Sequence, residues 1–203
     1  MVCLWFDSQK SLMDRQTAID LIVQHQLAQI SDEIRSETVL AWFEMGGFEP
    51  GDSVIAHLPE TLQHELISGQ MPDDPLARQY DPLLMDGMHA SFAGVKNSYL
   101  LSYIHQHLGQ SGLKPDSISG QPAPLFACPC CLYQTLTRHA EYEICPLCFW
   151  EDDGASEPDD YSSPNHMTVA QGQLNFARYG ACDQTMLKNI DPEGPLKYQR
   201  ATH

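Results

Sequence analysis

The sequence predicts an α+β protein: a helical N-terminal region followed by a small four-cysteine, zinc-ribbon-like module with flanking C-terminal helices. Three observations carry this. Apolar residues recur at helical spacing between residues 12 and 108. A stretch of turn formers follows. Then Cys-Pro-Cys-Cys, thirteen residues and Cys-Pro-Leu-Cys place five of the seven cysteines between Cys128 and Cys148. The expected division is a helical domain over 1–110, a linker over 111–124 and a cysteine-rich metal-binding domain over 125–203.

The first helix follows Asp14, a good N-cap, and Ala18, Ile19, Ile22, Val23 and Leu27 recur along it as a buried stripe. A second starts near Ser31, carries Ile34, Val39, Trp42 and Phe43, and stops at Gly46-Gly47, where positive φ is sterically free. Pro59-Glu60 opens a third, short helix ending near Gly69. Asp81-Pro82 supplies a cap with proline at the first helical position. The pattern then runs through Leu83, Leu84, Met88, Phe92, Val95, Tyr99 and Ile104 to Gly109, as one long helix or two broken near Gly94. Residues Gly109 to Pro124 offer few core formers. Beyond the cysteines, Trp150 to Tyr161 reads as an acidic loop. Thr168-Val-Ala-Gln171 is a capping-box pattern for a helix ending at Gly180, and a short helix around Asp183 to Ile190 precedes a polar tail.

Composition limits the functions available. Eleven Lys and Arg against 27 Asp and Glu give a formal charge of −16, and a metal held by four thiolates adds about −2 more. Nucleic acid is thereby disfavoured as a direct ligand. No apolar run reaches about 18 residues, and the first ten residues lack a basic, then apolar, leader pattern, so a cytoplasmic location without membrane contact is expected. An odd number of crowded cysteines argues against a disulfide framework.

Each Cys-x2-Cys pair, Cys128/Cys131 and Cys145/Cys148, can turn two thiolates inward from one tight turn, and a hairpin between them brings four together. Proline after the first cysteine of each turn fixes φ there. Such turns often carry glycine after the second cysteine; here Leu132 and Phe149 stand in its place. A closed four-thiolate shell points to a structural zinc that staples a segment too small to build its own core. Iron shares this ligand set and is the less favoured metal, since nothing signals electron transfer. Cys130 is a fifth thiol, open to three readings: a spare beside the metal, a substitute for Cys131, or a redox handle. His139 and His166 are weaker alternatives to a sulfur ligand. Cys3 and Cys182 read as unligated thiols.

No Lys or Arg occurs from His139 through Ala177, while Glu and Asp crowd that stretch. Simple solubility and docking on a basic partner both explain this. Trp150, Glu151, Asp152, Asp153, Asp159 and Asp160 are the candidate contact set, with Trp150 as anchor. The Asp spacing lacks the ligand rhythm of a calcium loop. His105 and His107 lie two apart and face different ways, and no serine elbow, phosphate loop or dinucleotide fingerprint is present.

The strings Leu125-Phe-Ala-Cys-Pro-Cys-Cys-Leu-Tyr, Ile144-Cys-Pro-Leu-Cys-Phe-Trp-Glu-Asp-Asp153 and Asn175-Phe-Ala-Arg-Tyr-Gly180 resemble the bacterial CPCC cysteine-rich family over about residues 125–190. The first half is similar to the N-terminal region of longer members. Members commonly have glycine where Leu132 stands. The resemblance implies a small cytoplasmic protein, in some members encoded near polymorphic toxins, where immunity proteins are found. The expectation is a non-enzymatic protein that binds a protein partner, a basic toxin domain, through an acidic surface. The alternative is a zinc-dependent or thiol-redox regulator using Cys130 with Cys131.

Overall fold

A computed structural model describes residues 11–201; Cys3 lies outside them. The architecture is the expected mixture, with helices in the N-terminal half, four small two-stranded sheets, and helices again toward the C-terminus. Two compact units form, one of residues 16–92 and one of residues 93 onward together with the segment before Gln16. Compactness therefore divides the chain near Phe92, and the stretch expected as a linker, 111–124, lies within the second unit.

In the first unit, α1 (Arg15–Leu27), α2 (Asp32–Met45), α3 (Glu60–Ser68) and α4 (Asp81–Ser91) begin and end close to where capping chemistry placed them. The Ser31 hydroxyl accepts from the Ile34 N–H at 3.3 Å and opens α2. Gly69, at φ +66°, closes α3 through its N–H to the Leu66 carbonyl. Val39, Phe43, Phe48, Ile55, Leu58, Leu62, Leu66, Tyr80, Leu83 and Leu84 make one continuous buried core. The Arg35 guanidinium reaches the Asp81 carboxylate at the start of α4. Ile34, expected in the buried stripe of α2, is 53% exposed. Five residues before Val39, it lies about 140° around the helix from the Val39 and Phe43 face.

The second unit opens with β1 (Leu12–Asp14), which pairs in parallel with β2 (Ser117–Ser119). Neither strand was legible in the sequence, because three residues are too few to show alternation. Arg15 fastens this end: its guanidinium donates to the Asn97 side chain at 2.5 Å and to the Ala93 carbonyl at 3.1 Å. α5 (Asn97–Tyr103) runs into a wider turn over Ile104–Leu108, so the long apolar pattern does break around Gly94.

Three further strand pairs are compressed into 126–168. β3 (Phe126–Ala127) pairs with β4 (Gln134–Leu136), β5 (Glu143–Ile144) with β6 (Glu151–Asp152), and β7 (Tyr161–Ser162) with β8 (Met167–Thr168), all antiparallel. α6 (Val169–Tyr179) starts on the expected capping box, Thr168 with Gln171, and stops at Gly180 in the left-handed region. The short helix expected around Asp183 to Ile190 is a 3₁₀ turn over Gln184–Lys188, and the polar tail holds a short helix, α7 (Gly194–Lys197). Residues 199–201 then lie along the first hairpin: the Gln134 N–H donates to the Gln199 carbonyl and the Ala201 N–H to the Leu132 carbonyl, each at 2.8 Å.

Gly94 marks a close approach in this unit, because a Cβ there would lie 2.1 Å from Leu125 Cδ1 and 2.6 Å from its Cγ. Replacing Gly94 with alanine is expected to destabilise the protein by about 1–3 kcal/mol through overpacking. The urea midpoint reads this directly, and an unchanged midpoint would show that Leu125 moves aside without cost.

Candidate metal centre

The two hairpins carry matched turns. At the tip of β3–β4, the Leu132 N–H donates to the Cys128 carbonyl at 2.9 Å, and the Cys128 N–H donates to the Tyr133 carbonyl at 2.9 Å. At β5–β6, the Phe149 N–H donates to the Cys145 carbonyl and the Cys145 N–H to the Trp150 carbonyl, both at 2.8 Å. The same bonds at the same offsets make the two turns repeats of one structure. Each needs a left-handed residue after its second cysteine: Leu132 adopts φ +65° and Phe149 φ +66°. The geometry glycine would have made easy is thus retained by bulky residues, at a cost of about 1–2 kcal/mol each.

The turns face each other. The Sγ atoms of Cys128, Cys131, Cys145 and Cys148 all lie within 4.8 Å of one another, and all four residues are 0% exposed. Sulfurs from opposite turns approach to 3.6 Å (Cys128 to Cys148) and 3.7 Å (Cys131 to Cys145). A tetrahedral shell with metal–sulfur bonds of about 2.3 Å has sulfur–sulfur edges of about 3.8 Å. The donor set and its spacing therefore fit a tetrahedral cation.

Electrostatics point the same way. Burial pushes the Cys128 thiol well above its ordinary range, reinforced by hydrogen bonds with Cys131 and Cys145. Burial does the same to Cys148, reinforced by Cys128 and Cys130. At Cys145 the effect of burial is outweighed by hydrogen bonds from Cys128, Cys131, Cys148 and the Thr135 hydroxyl, which lies 3.1 Å from the sulfur, so this thiol is lowered. Without a cation the cluster favours charge at Cys145. A divalent ion would let all four ionise together.

C-terminal elements brace the second turn. The Cys182 N–H donates to the Cys148 carbonyl at 2.7 Å, and the Asp191 N–H to the Pro146 carbonyl at 2.9 Å. The Gln173 side chain of α6 reaches the Pro129 carbonyl of the first turn at 2.9 Å. Gly172 lets α6 lie directly on the site, since a Cβ there would come within 2.7 Å of the Trp150 ring and 3.3 Å of the Cys130 sulfur.

Cys130 is 2% exposed and lies beside Cys148, outside the set of four. Cys182 is equally buried, and burial, ahead of the nearby Cys130 and Asp183, pushes its thiol up to about 12. His139 is engaged elsewhere, with Nδ1 3.5 Å from the Asp152 carboxylate and its ring packed at a tilt against Phe126.

The expected contact set does not form a common surface. Trp150 is fully buried, packed beneath α6, and cannot be a surface anchor. Asp152 is 1% exposed and accepts from the Ala140 N–H at 2.9 Å. Asp153 accepts from Ala155 and Ser163, and Asp160 from Ser156 and Glu157, so both carboxylates shape the loop. Those backbone bonds hold the Asp160 carboxyl below its usual range. Asp159 is exposed, and Glu151 is half-buried. Much of the acidic run closes its own turns, a role that charge counting along the sequence does not reveal.

Paired knuckles on paired hairpins, enclosing four buried sulfurs at tetrahedral spacing, define a cysteine-rich module built around a candidate metal site. Residues 126–195 match the family described as cysteine-rich CPCC. No curated protein and no solved structure matches the chain.

Changing any one of Cys128, Cys131, Cys145 or Cys148 to serine is expected to abolish stoichiometric metal and the near-ultraviolet dichroism of buried Trp150, whereas Cys130→Ser keeps both. Elemental analysis with circular dichroism checks this pair. Leu132→Gly, which relieves the left-handed strain, is expected to keep the metal and shift stability by no more than about 1 kcal/mol, in the stabilising direction.

Proposed function

We propose that the chain is a non-enzymatic binding protein whose C-terminal module is held by a structural zinc. The observation that carries this reading is the closed set of four mutually adjacent, fully buried cysteine sulfurs. A catalytic metal needs a position open to substrate, and four thiolates leave none. Zinc is preferred to iron because a redox-inert ion suits a staple. With a charge of −16 and no Lys or Arg from His139 to Ala177, the partner is a basic protein surface. In its most specific form the protein is a cytoplasmic immunity protein that neutralises a bacterial toxin. That form rests on the charge and on the family resemblance.

Purified protein is expected to contain one zinc per chain and to lose the folded signals of the 126–195 segment on chelation, since structural zinc contributes about 10–16 kcal/mol in small modules. Iron in its place would show as visible colour. Co-expression with a basic bacterial toxin domain that arrests growth is expected to restore growth if that toxin is the cognate one, and Cys145→Ser to remove that protection. Unrestored growth with intact zinc would retire the immunity form and keep the staple.

A second reading is a thiol-redox regulator using Cys130 with Cys131, which the burial of Cys130 disfavours. Under that reading Cys130→Ser removes a peroxide response; under the binding reading it leaves partner capture unchanged.

A further inference from the structure

Beside the second knuckle lies an open cleft of about 520 Å³. Its apolar lining includes Ile144, Phe149, Met167 and Met186, while Glu151 and Asp183 bring carboxylates to it. Ile144 is 45% exposed, a branched apolar side chain held out on a two-residue strand. Several features fix the shape. Phe149 and His166, both lining residues, are held at positive φ. Asn165, another lining residue, clamps β6 through bonds to both the N–H and the carbonyl of Glu151 and a third to Ser162. Strain that surrounding structure enforces on bulky residues is concentrated at sites of function. All five described non-glycine residues at positive φ fall between Leu132 and His166.

The charge is fixed as well. The Thr185 hydroxyl and N–H donate to Asp183 Oδ1 at 2.6 and 2.8 Å, holding that carboxyl below its usual range and the side chain in one place. The cleft thus offers an apolar floor with adaptable thioethers and a negative rim, and none of its lining residues is Lys or Arg. The complementary ligand is a side chain with an apolar stem and a cationic tip, which buries the one while pairing the other.

We propose that this cleft docks a lysine- or arginine-bearing amphipathic segment of a basic protein partner, and that Met167, Met186, Glu151 and Asp183 replace Trp150 and Asp152 as the principal contact residues. The inference deepens the binding reading above and rests on it. It takes over the functional role expected of the acidic loop and moves it to a concave site where the aromatic and carboxylate groups are accessible rather than enclosed.

The test uses the zinc-loaded full chain with ¹³C-labelled methionine methyls. It is titrated with the peptide acetyl-Leu-Arg-Leu-Lys-Leu-Arg-amide and with the same peptide bearing glutamine in place of each basic residue. The basic peptide is expected to shift the Met167 and Met186 methyl signals saturably, and the neutral peptide to leave them unmoved. Asp183→Asn is expected to weaken binding about tenfold, the size of one charge-assisted contact, with zinc content unchanged. Met186→Ala, which removes floor and keeps charge, should weaken it independently. Equal response to both peptides, binding that leaves Met167 and Met186 unshifted, or no binding at all would each overturn the cleft. The zinc stoichiometry and growth rescue described above report on the underlying reading separately, so either can fail without the other.

Discussion

Four sulfurs enclosed within 4.8 Å of one another impose the condition on which the C-terminal module depends. Thiolates so close and so buried repel each other and lack water to screen them, so their combined charge is stable only around a cation. Each strand that carries them is two or three residues long, too short for an isolated hairpin to persist in water. The hairpins are held where the turns meet, and the converged sulfurs form a donor set that one shared ion would suit. Leu132 and Phe149 accept left-handed backbone for the same reason: their N–H groups must fold back onto the cysteine carbonyls for the sulfurs to converge.

Around this centre the chain spends its polar groups on shape. Glu143 accepts from the Thr137 N–H and hydroxyl and from the Arg138 N–H, closing the turn between β4 and β5. Asp152 accepts from Ala140 in that same turn, and Asp153 and Asp160 do likewise for the loop that follows β6. A carboxylate that receives backbone N–H bonds is a fixed strut whose position is set by its own turn. This is why the negative stretch reads differently in three dimensions than along the sequence, where Asp152 counts as a surface charge although it is 1% exposed.

The parts of the fold that were legible in the sequence are those governed by local chemistry. Ser31, Gly69, the Thr168 and Gln171 box, and Gly180 act within a turn of their own positions, so a window of a few residues contains the whole cause. The cysteine spacing belongs to the same class. What could not be read depends on partners far along the chain. β1 owes its existence to β2, about a hundred residues later, and Trp150 is buried by a helix whose Gly172 leaves room for it. The Trp150 prediction failed for that reason: an aromatic beside acidic residues has the composition of an interface, and only packing distinguishes an anchor from a core residue.

The last described residues have a bearing on the order of assembly during synthesis. Backbone bonds from 199–201 complete the edge of the first hairpin, and Lys197 offers its carbonyl to the Lys96 N–H. The core built from Val39 to Leu84 is drawn from residues that emerge together. The cysteine module, by contrast, leaves its thiols available to metal, oxidant and wrong partners until residues 199–201 have been made. For the interval between Cys128 and those residues, the nascent chain rather than the finished fold is the state in which the thiols meet any cation.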